Sequence, residues 1–125
     1  MNVPANLKYT KSDEWFDEGS GKVGLSDYAQ GQLSDIVFVE LLVDEGDTIE
    51  AGAAIASVES VKASAEIYSP AGGKVAAVNA DLADKPEAIN SDPYGEAWMI
   101  QLEGGSAGEV MDSAAYEKYC EERDH

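Results

Sequence analysis

Few side chains in this sequence are equipped for chemistry on their own, and Lys62 is the one that stands apart. It lies in the stretch VESVKASAEIYSP, residues 58–70, of a chain with only 8 Lys and Arg against 25 Asp and Glu. The stretch reads as one strand running out to a tip and a second running back. Alternation along a strand sends Val58 and Ser60 to one face and Ile55, Ser57 and Glu59 to the other. At the tip the alternation ends, and the Lys62 amine is free to point into solvent. Its neighbours Ser60, Val61, Ala63 and Ser64 are small, a platform that lets another protein's active site approach the amine. This arrangement suits a lysine that an enzyme acylates with a cofactor, exchanging its charge for a long flexible arm. A single lysine on a turn is more often merely solvated. Three features favour the reactive reading: the tight lysine-centred hairpin, the similar segments on either side of it, and the scarcity of other functional groups.

Those other groups point to no catalytic residue and to no enzyme. Carboxylates are so numerous that no acid–base pair singles itself out. The only histidine, His125, is the last residue and makes no metal-ligand set. Cys120 excludes an internal disulfide framework and is expected to pack beside Tyr116 on a helical face. Trp15 and Trp98 read as core or barrel-end residues, and GSG at 19–21 reads as a turn with no phosphate-loop pattern.

The formal net charge of −17 repels phosphate backbones and anionic membranes, so neither nucleic acid nor a membrane is expected as a partner. The same charge fits two readings equally, a solvated surface tuned for a salty cytoplasm or steering toward proteins with basic docking faces, and in either case it favours a monomeric chain. Residues 1–15 carry no apolar segment of the signal-peptide kind, and no apolar run approaches the length of a membrane span. The expected setting is cytoplasmic, or the mitochondrial matrix of a eukaryote once a targeting segment is removed.

The elements that must position Lys62 read as mostly β. LKYTKSDEWF and KVGLS flank the turn DEGSGK as a hairpin. SDYAQGQLSD predicts a short helix, with Asp27 and Gln30 as a capping box and Leu25, Tyr28 and Leu33 as anchors. In DIVFVELLV, the apolar run 36–39 predicts a strand buried on both faces. A short strand near Thr48 and Ile49 follows, then AAIASVES out to the lysine and residues 63–68 back. SPAGG reads as a sharp turn, KVAAVNA as a strand, residues 81–97 as a long polar connection, and WMIQLE as the last strand. Residues 106–125 read as helical, with Ser106 and Glu109 as a capping box and Tyr116, Tyr119 and Cys120 on one face. The segments before and after the hairpin both run strand, loop, strand. They suggest two similar halves of a flattened barrel or sandwich that meet at Lys62.

The hairpin resembles the lipoyl-attachment segment of the glycine cleavage system H protein family. That family's pattern is Glu-Ser-Val-Lys-Ala, then an acidic residue and Ile-Tyr-Ser/Ala-Pro. Here it is Glu59, Ser60, Val61, Lys62 and Ala63, then Glu66, Ile67, Tyr68, Ser69 and Pro70. YTKSDEW, SDYAQGQLSDIVFVEL, GGKVAAVNADL and PEAINSDPYGEAW fall in the family's order, covering residues 7–103. Four positions depart from the pattern. Asp13 stands where the family usually has His, and Leu41-Leu42 where it often has Leu-Pro. Glu66 stands for Asp, and Ala97 for Gly. The changes at 13 and 66 bear on where a loaded arm rests.

The resemblance implies a single lipoyl-carrier domain over residues 1–125, a flattened barrel-sandwich hybrid of the lipoyl/biotinyl-carrier type. It would have a core of about 7–103, a short internal helix and a helical extension over 104–125. It implies lipoic acid in amide linkage to Lys62, with Glu59, Ser60, Val61 and Ala63 read by the attaching enzymes. It implies a shuttle between glycine decarboxylase, which uses pyridoxal phosphate, and an aminomethyltransferase that uses tetrahydrofolate. Dihydrolipoyl dehydrogenase, with FAD, would reoxidise the dithiol. The loaded amine is labile in water, so a cleft should shelter it; the positions matching the family's cleft are Glu14, Leu25 and Glu66. Biotin carriers typically flank the lysine with methionines, and lipoyl domains of 2-oxoacid dehydrogenases usually have Asp-Lys-Ala, so Val61 and Ala63 argue against both. An H-like protein acting in lipoate transfer or regulation, without glycine cleavage, is the alternative.

Overall fold

The lysine hairpin belongs to the smaller of two antiparallel sheets. The computed structural model describes residues 2–123; His125 lies outside them. The small sheet holds β4 (Ile36–Leu41), β6 (Ala54–Ser60) and β7 (Ser64–Tyr68) in the order β4-β6-β7. The larger sheet has the order β1-β2-β3-β9-β8-β5. Its strands are β1 (Lys8–Tyr9), β2 (Glu14–Phe16), β3 (Lys22–Leu25), β5 (Thr48–Ile49), β8 (Ala71–Val78) and β9 (Ile100–Ala107). Helix α1 (Asp27–Leu33) leads into β4, α2 (Ala88–Ser91) lies between β8 and β9, and α3 (Ser113–Arg123) ends the described chain. This is the mostly β barrel-sandwich hybrid, with short internal helix and helical tail, that the sequence leads one to expect. Each of the two similar segments delivers one antiparallel pair, β4 with β6 to the small sheet and β8 with β9 to the large one.

Apolar side chains between the sheets, among them Val39, Ile55, Val58, Ile67, Val75 and Ile100, form one core. A second cluster of Leu7, Tyr9, Trp15, Tyr28, Tyr116 and Cys120 lies under α3. The large sheet approaches itself closely at two glycines. Gly21 has φ +82, and a Cβ there would fall 2.1 Å from the Leu102 carbonyl oxygen. At Gly24 a Cβ would fall 2.6 Å from Nε1 of Trp15, whose indole N–H donates to the Pro93 carbonyl at 2.9 Å.

The strand β4 is not buried on both faces. Ile36 pairs with Ser60 but Phe38 pairs with Glu59, so Val37 is an extra residue in a bulge. The bulge turns two consecutive residues outward, leaving Val37 55% and Phe38 47% exposed. β6 carries a second bulge, between Ala54 and Ala56. It turns Ile55 into the core beside Val58, away from the face of Ser57 and Glu59 on which simple alternation puts it.

Both expected capping boxes give way to other partners. Ser26 caps α1, its Oγ accepting from the Ala29 N–H at 3.2 Å. Asp27 is the first helical residue and accepts from Gln30 Nε2 instead. Ser106 and Glu109 cap nothing, because Ser106 pairs with Gly72 as β9 runs on to Ala107, beyond the expected core limit of 103. Asp112 Oδ1 accepts from the Ala115 N–H at the start of α3. Tyr116 and Cys120 are buried on one face of α3, with Tyr119 packed beside them.

Two further boundaries move. β8 begins at Ala71, so the turn after the hairpin is confined to Ser69 and Pro70. The connection at 81–97 is not simply polar: a 3₁₀ turn (Ala80–Asp84) and α2 bury Leu82, Ala88 and Ile89. The opening hairpin is a three-strand meander, its first run broken by a turn at residues 10–13.

Candidate functional site

The last ladder pair of the hairpin is Glu59 with Ser64, and residues 60–63 make the turn. Ser60 fastens it. Its N–H donates to the Ala63 carbonyl at 2.8 Å. Its Oγ donates to the same carbonyl and accepts from the N–H groups of Ala63 and Lys62 at 3.0 and 3.3 Å. A serine hydroxyl mimicking a backbone turn explains why this tip needs no glycine, and neither Val61 nor Lys62 has a positive φ. The Val61 N–H donates to the Asp35 carbonyl at 3.1 Å, tying the tip to the start of β4. That start is braced from α2. Asn90 Nδ2 donates to the Ser34 carbonyl and to Gln30 Oε1, and Asn90 Oδ1 accepts from the Ile36 N–H. Asn90 gave no signal beyond its place in a family-like stretch, because its role depends on residues more than 50 positions away.

Val61, Lys62, Ala63 and Ser64 are all exposed. Among the described residues, neither ion pair involves Lys62. The amine therefore stands clear at a tip whose shape is set by backbone hydrogen bonds. Glu59 is exposed and Ser60 half-buried. An exposed, unpaired primary amine flanked by small side chains fits an acyl-linked cofactor.

The three expected cleft residues line two adjoining depressions. Leu25 and Glu66 line a hollow of about 150 Å³ with Asp13, Leu33 and Ala65. Glu14 lines a larger one of about 380 Å³ with Thr10, Gly52, Tyr68 and Pro70. Ser12 borders both, and Glu14 pairs with Leu25 across β2 and β3. Glu66 is exposed on β7, an edge strand. Leu25 is only 2% exposed, so it forms floor more than wall.

Glu14 is 1% exposed, far from the solvated carboxylate that its acidic surroundings suggest. The chain folds back at residues 10–13 with Asp13 in the left-handed region, φ 76. That turn aims the Thr10 and Ser12 hydroxyls at Glu14 Oε1, each at 2.6 Å, while Oε2 accepts from the Tyr68 N–H at 3.2 Å. Burial pushes the Glu14 carboxyl above the usual range; the Ser12, Thr10 and Tyr68 hydrogen bonds pull it down, and neighbouring Asp13 adds to the rise. The signal for Thr10 and Ser12 was their i−4 and i−2 spacing from Glu14, too common to read without the turn.

Asp13 also anchors α3. Its carboxylate accepts from both Arg123 guanidinium nitrogens, at 2.6 and 2.9 Å, and from the Tyr116 hydroxyl at 2.8 Å. Tyr116 stacks on Tyr9 with ring centroids 4.6 Å apart. The departure at position 13 thus bears on the tail as well as on the hollow it lines. Trp15 lies in the second core cluster and Trp98 at its margin, with Lys22 Nζ 5.2 Å above the Trp98 ring. No group of three metal-ligating side chains exists among the described residues, and none of their helices is long and apolar enough to cross a membrane.

A projecting lysine at the tip of a β-hairpin in a barrel-sandwich hybrid is the mark of the lipoyl- and biotin-carrier class. Comparison with known proteins narrows the class. The family model described as glycine cleavage H-protein matches residues 7–123. The glycine cleavage system H protein of Stenotrophomonas maltophilia is 50% identical, with 98% of each chain covered. That of Pseudoalteromonas atlantica is 46% identical over 97% of this chain and 98% of its own. That of Bacillus cereus is 46% identical over 97% and 96%. The crystal structure of the Mycobacterium marinum H protein superposes with a TM-score of 0.85 at 30% identity, covering 98% of this chain and all of that one. The chain belongs to the glycine cleavage H-protein family.

Proposed function

We propose that Lys62 is the lipoyl attachment point and that the two depressions shelter the loaded arm. As a member of its family the chain is a carrier in glycine cleavage and not an enzyme. When bound through an amide at Lys62, lipoic acid supplies a disulfide on a long arm that carries the aminomethyl group between partners. Those partners are glycine decarboxylase with pyridoxal phosphate, the tetrahydrofolate-dependent aminomethyltransferase, dihydrolipoyl dehydrogenase with FAD, and the lipoate-attaching enzymes. The chain acts as a monomer in the cytoplasm.

The observation that carries this reading is the exposed Lys62 on a turn fastened by Ser60. Glu59, Val61 and Ala63 surround the amine as the surface that an attaching enzyme reads. The hollow of Leu25 and Glu66 opens near the tip: Ala65 on its wall is three residues from Lys62, at most about 10 Å of chain. Glu66 gives that hollow negative charge suited to a cationic amine, whereas the Asp13 charge is already met by Arg123. Glu14, reached past Ser12, offers a carboxylate held by three hydrogen bonds. A cation seated there favours the ionised form that burial opposes. Leu25 and Ile67 limit water at the hollow's floor.

The test is intact mass after treatment with lipoate–protein ligase, lipoic acid and ATP. One lipoyl increment is expected, and its persistence in Lys62→Arg would overturn the assignment. Reconstituted glycine decarboxylation with the pyridoxal-phosphate enzyme then separates a glycine-cleavage carrier from a lipoate relay. Glu14→Ala is expected to load normally yet release formaldehyde faster from the loaded form. An unchanged release rate would remove Glu14 from the docking site.

A further inference from the structure

Five large apolar side chains are prominently exposed among the described residues, and three of them gather around the lysine tip. Val61 is 68% exposed, Val37 55% and Phe38 47%. The hydrogen bond from the Val61 N–H to the Asp35 carbonyl holds Val61 against the start of β4. Phe38 pairs with Glu59, which pairs with Ser64, so these three share the outer face of the small sheet. The next outward row is Glu40, Ser57 and Glu66. Asp35, Glu40 and Glu59 are exposed, and they border the apolar group with negative charge. Single exposed apolar residues are ordinary; a cluster rimmed by charge marks an interaction surface.

The bulge also decides how this surface is read. β4 is an edge strand, and its extra residue Val37 breaks the regular row of backbone donors and acceptors. Strand addition along that edge is blocked there. Recognition must use the side chains that the bulge turns outward.

We propose that Val37, Phe38 and Val61, rimmed by Asp35, Glu40 and Glu59, are the docking face for the enzyme that acylates Lys62, and that this enzyme presents an apolar patch bordered by basic side chains. The inference rests on the reading of Lys62 as the attachment point. Partners that act on the far end of an arm can dock an arm's length away. Only the enzyme that forms the amide must bring its own groups against Nζ, and it then covers the adjoining tip and the start of β4. In that step the neutral amine attacks the carbonyl carbon of an acyl adenylate. The C–N bond forms, the C–O bond to AMP breaks, and the amine's proton passes to solvent. The chain's net charge of −17 favours a basic rim and steers its approach.

The experiment measures lipoylation rates of the unmodified full chain by mass, with purified lipoate–protein ligase, lipoic acid and ATP. The double variant Val37→Ser/Phe38→Ser is expected to raise KM for the carrier roughly tenfold or more, with kcat changed less than about twofold. Leu42→Ser, exposed further along the same face, is expected to leave KM within about twofold. Glu40→Gln/Glu59→Gln is expected to flatten the dependence of kcat/KM on salt. Thermal melts check that each variant is folded. An unchanged KM in the double variant overturns the docking face while leaving Lys62 lipoylation intact. An equal rise in Leu42→Ser also overturns it, as does wild-type dimerisation in sedimentation that the double variant abolishes. A wild-type chain that takes no lipoyl group defeats the Lys62 reading and this one with it.

Discussion

Around Lys62 the side chains are small and exposed, and the turn is held by hydrogen bonds between one serine and the backbone. Around Tyr116, which is 0% exposed, rings stack at 4.6 Å and a carboxylate is gripped at both ends by Arg123. The first region owes its shape to local hydrogen bonding plus one tie from Val61 to Asp35, and contributes little packing. The second ties the first fifteen residues to the last helix and shapes the wall of the hollow through Asp13. The proposed carrier role calls for both: a tip that enzymes of different shape can approach, and a frame that holds the adjoining hollows constant. The exposed amine and the packed frame are thereby built from different residues, with Asp13 reaching from the frame to the hollow.

Substitutions should separate the two. Lys62→Arg is expected to abolish the lipoyl increment entirely while changing stability by less than about 0.5 kcal/mol, as for an exposed site. Mass spectrometry and urea unfolding read the two halves of that statement, and a large stability loss would erase the contrast. Gly24→Ala should do the reverse. A Cβ there meets the Trp15 indole at 2.6 Å, so overpacking should cost about 1–3 kcal/mol while Lys62 remains a ligase substrate. Arg123→Ala should cost about 1 kcal/mol, since the pair with Asp13 is partly buried. It should also raise hydrogen exchange in α3 without altering lipoylation.

The smallest effect sharpens the comparison at the cleft. Burial raises the Glu14 carboxyl, so the folded chain binds that proton more tightly than the unfolded one. The resulting stabilisation is full below the ordinary carboxylate pKa and disappears as pH rises through the higher folded value. Glu14→Gln lacks it. The variant's stability relative to the parent should therefore improve as pH rises from about 4, the ordinary carboxylate value, through the raised folded value. A difference that stays flat across this range would mean that the hydrogen bonds from Thr10, Ser12 and Tyr68 cancel the burial.

The hairpin was legible because its determinants are close in sequence: alternating residues, one serine, and a lysine among small neighbours. The last helix was legible in its buried face but not in its start. Ser106 has the spacing of a capping box, yet pairing with Gly72 across the ladder claims it for β9. The apolar run of β4 was legible as a strand, whereas its exposure was not, because Val37 becomes a bulge only against Ser60 and Glu59. Glu14 was marked by family resemblance as a cleft residue. Its burial follows from a fold-back at Asp13 and from a donor, the Tyr68 N–H, 54 positions away.

The sequence by itself determined the strands, the turn chemistry, the isolated amine and the acidic field, since these depend on residue type and on spacings of a few positions. Only the tertiary structure decided which faces are covered, how Asp13 joins the cleft to α3, and which apolar side chains lie bare beside the lysine. Burial and register are fixed by partners remote in the chain, and no local pattern carries that information.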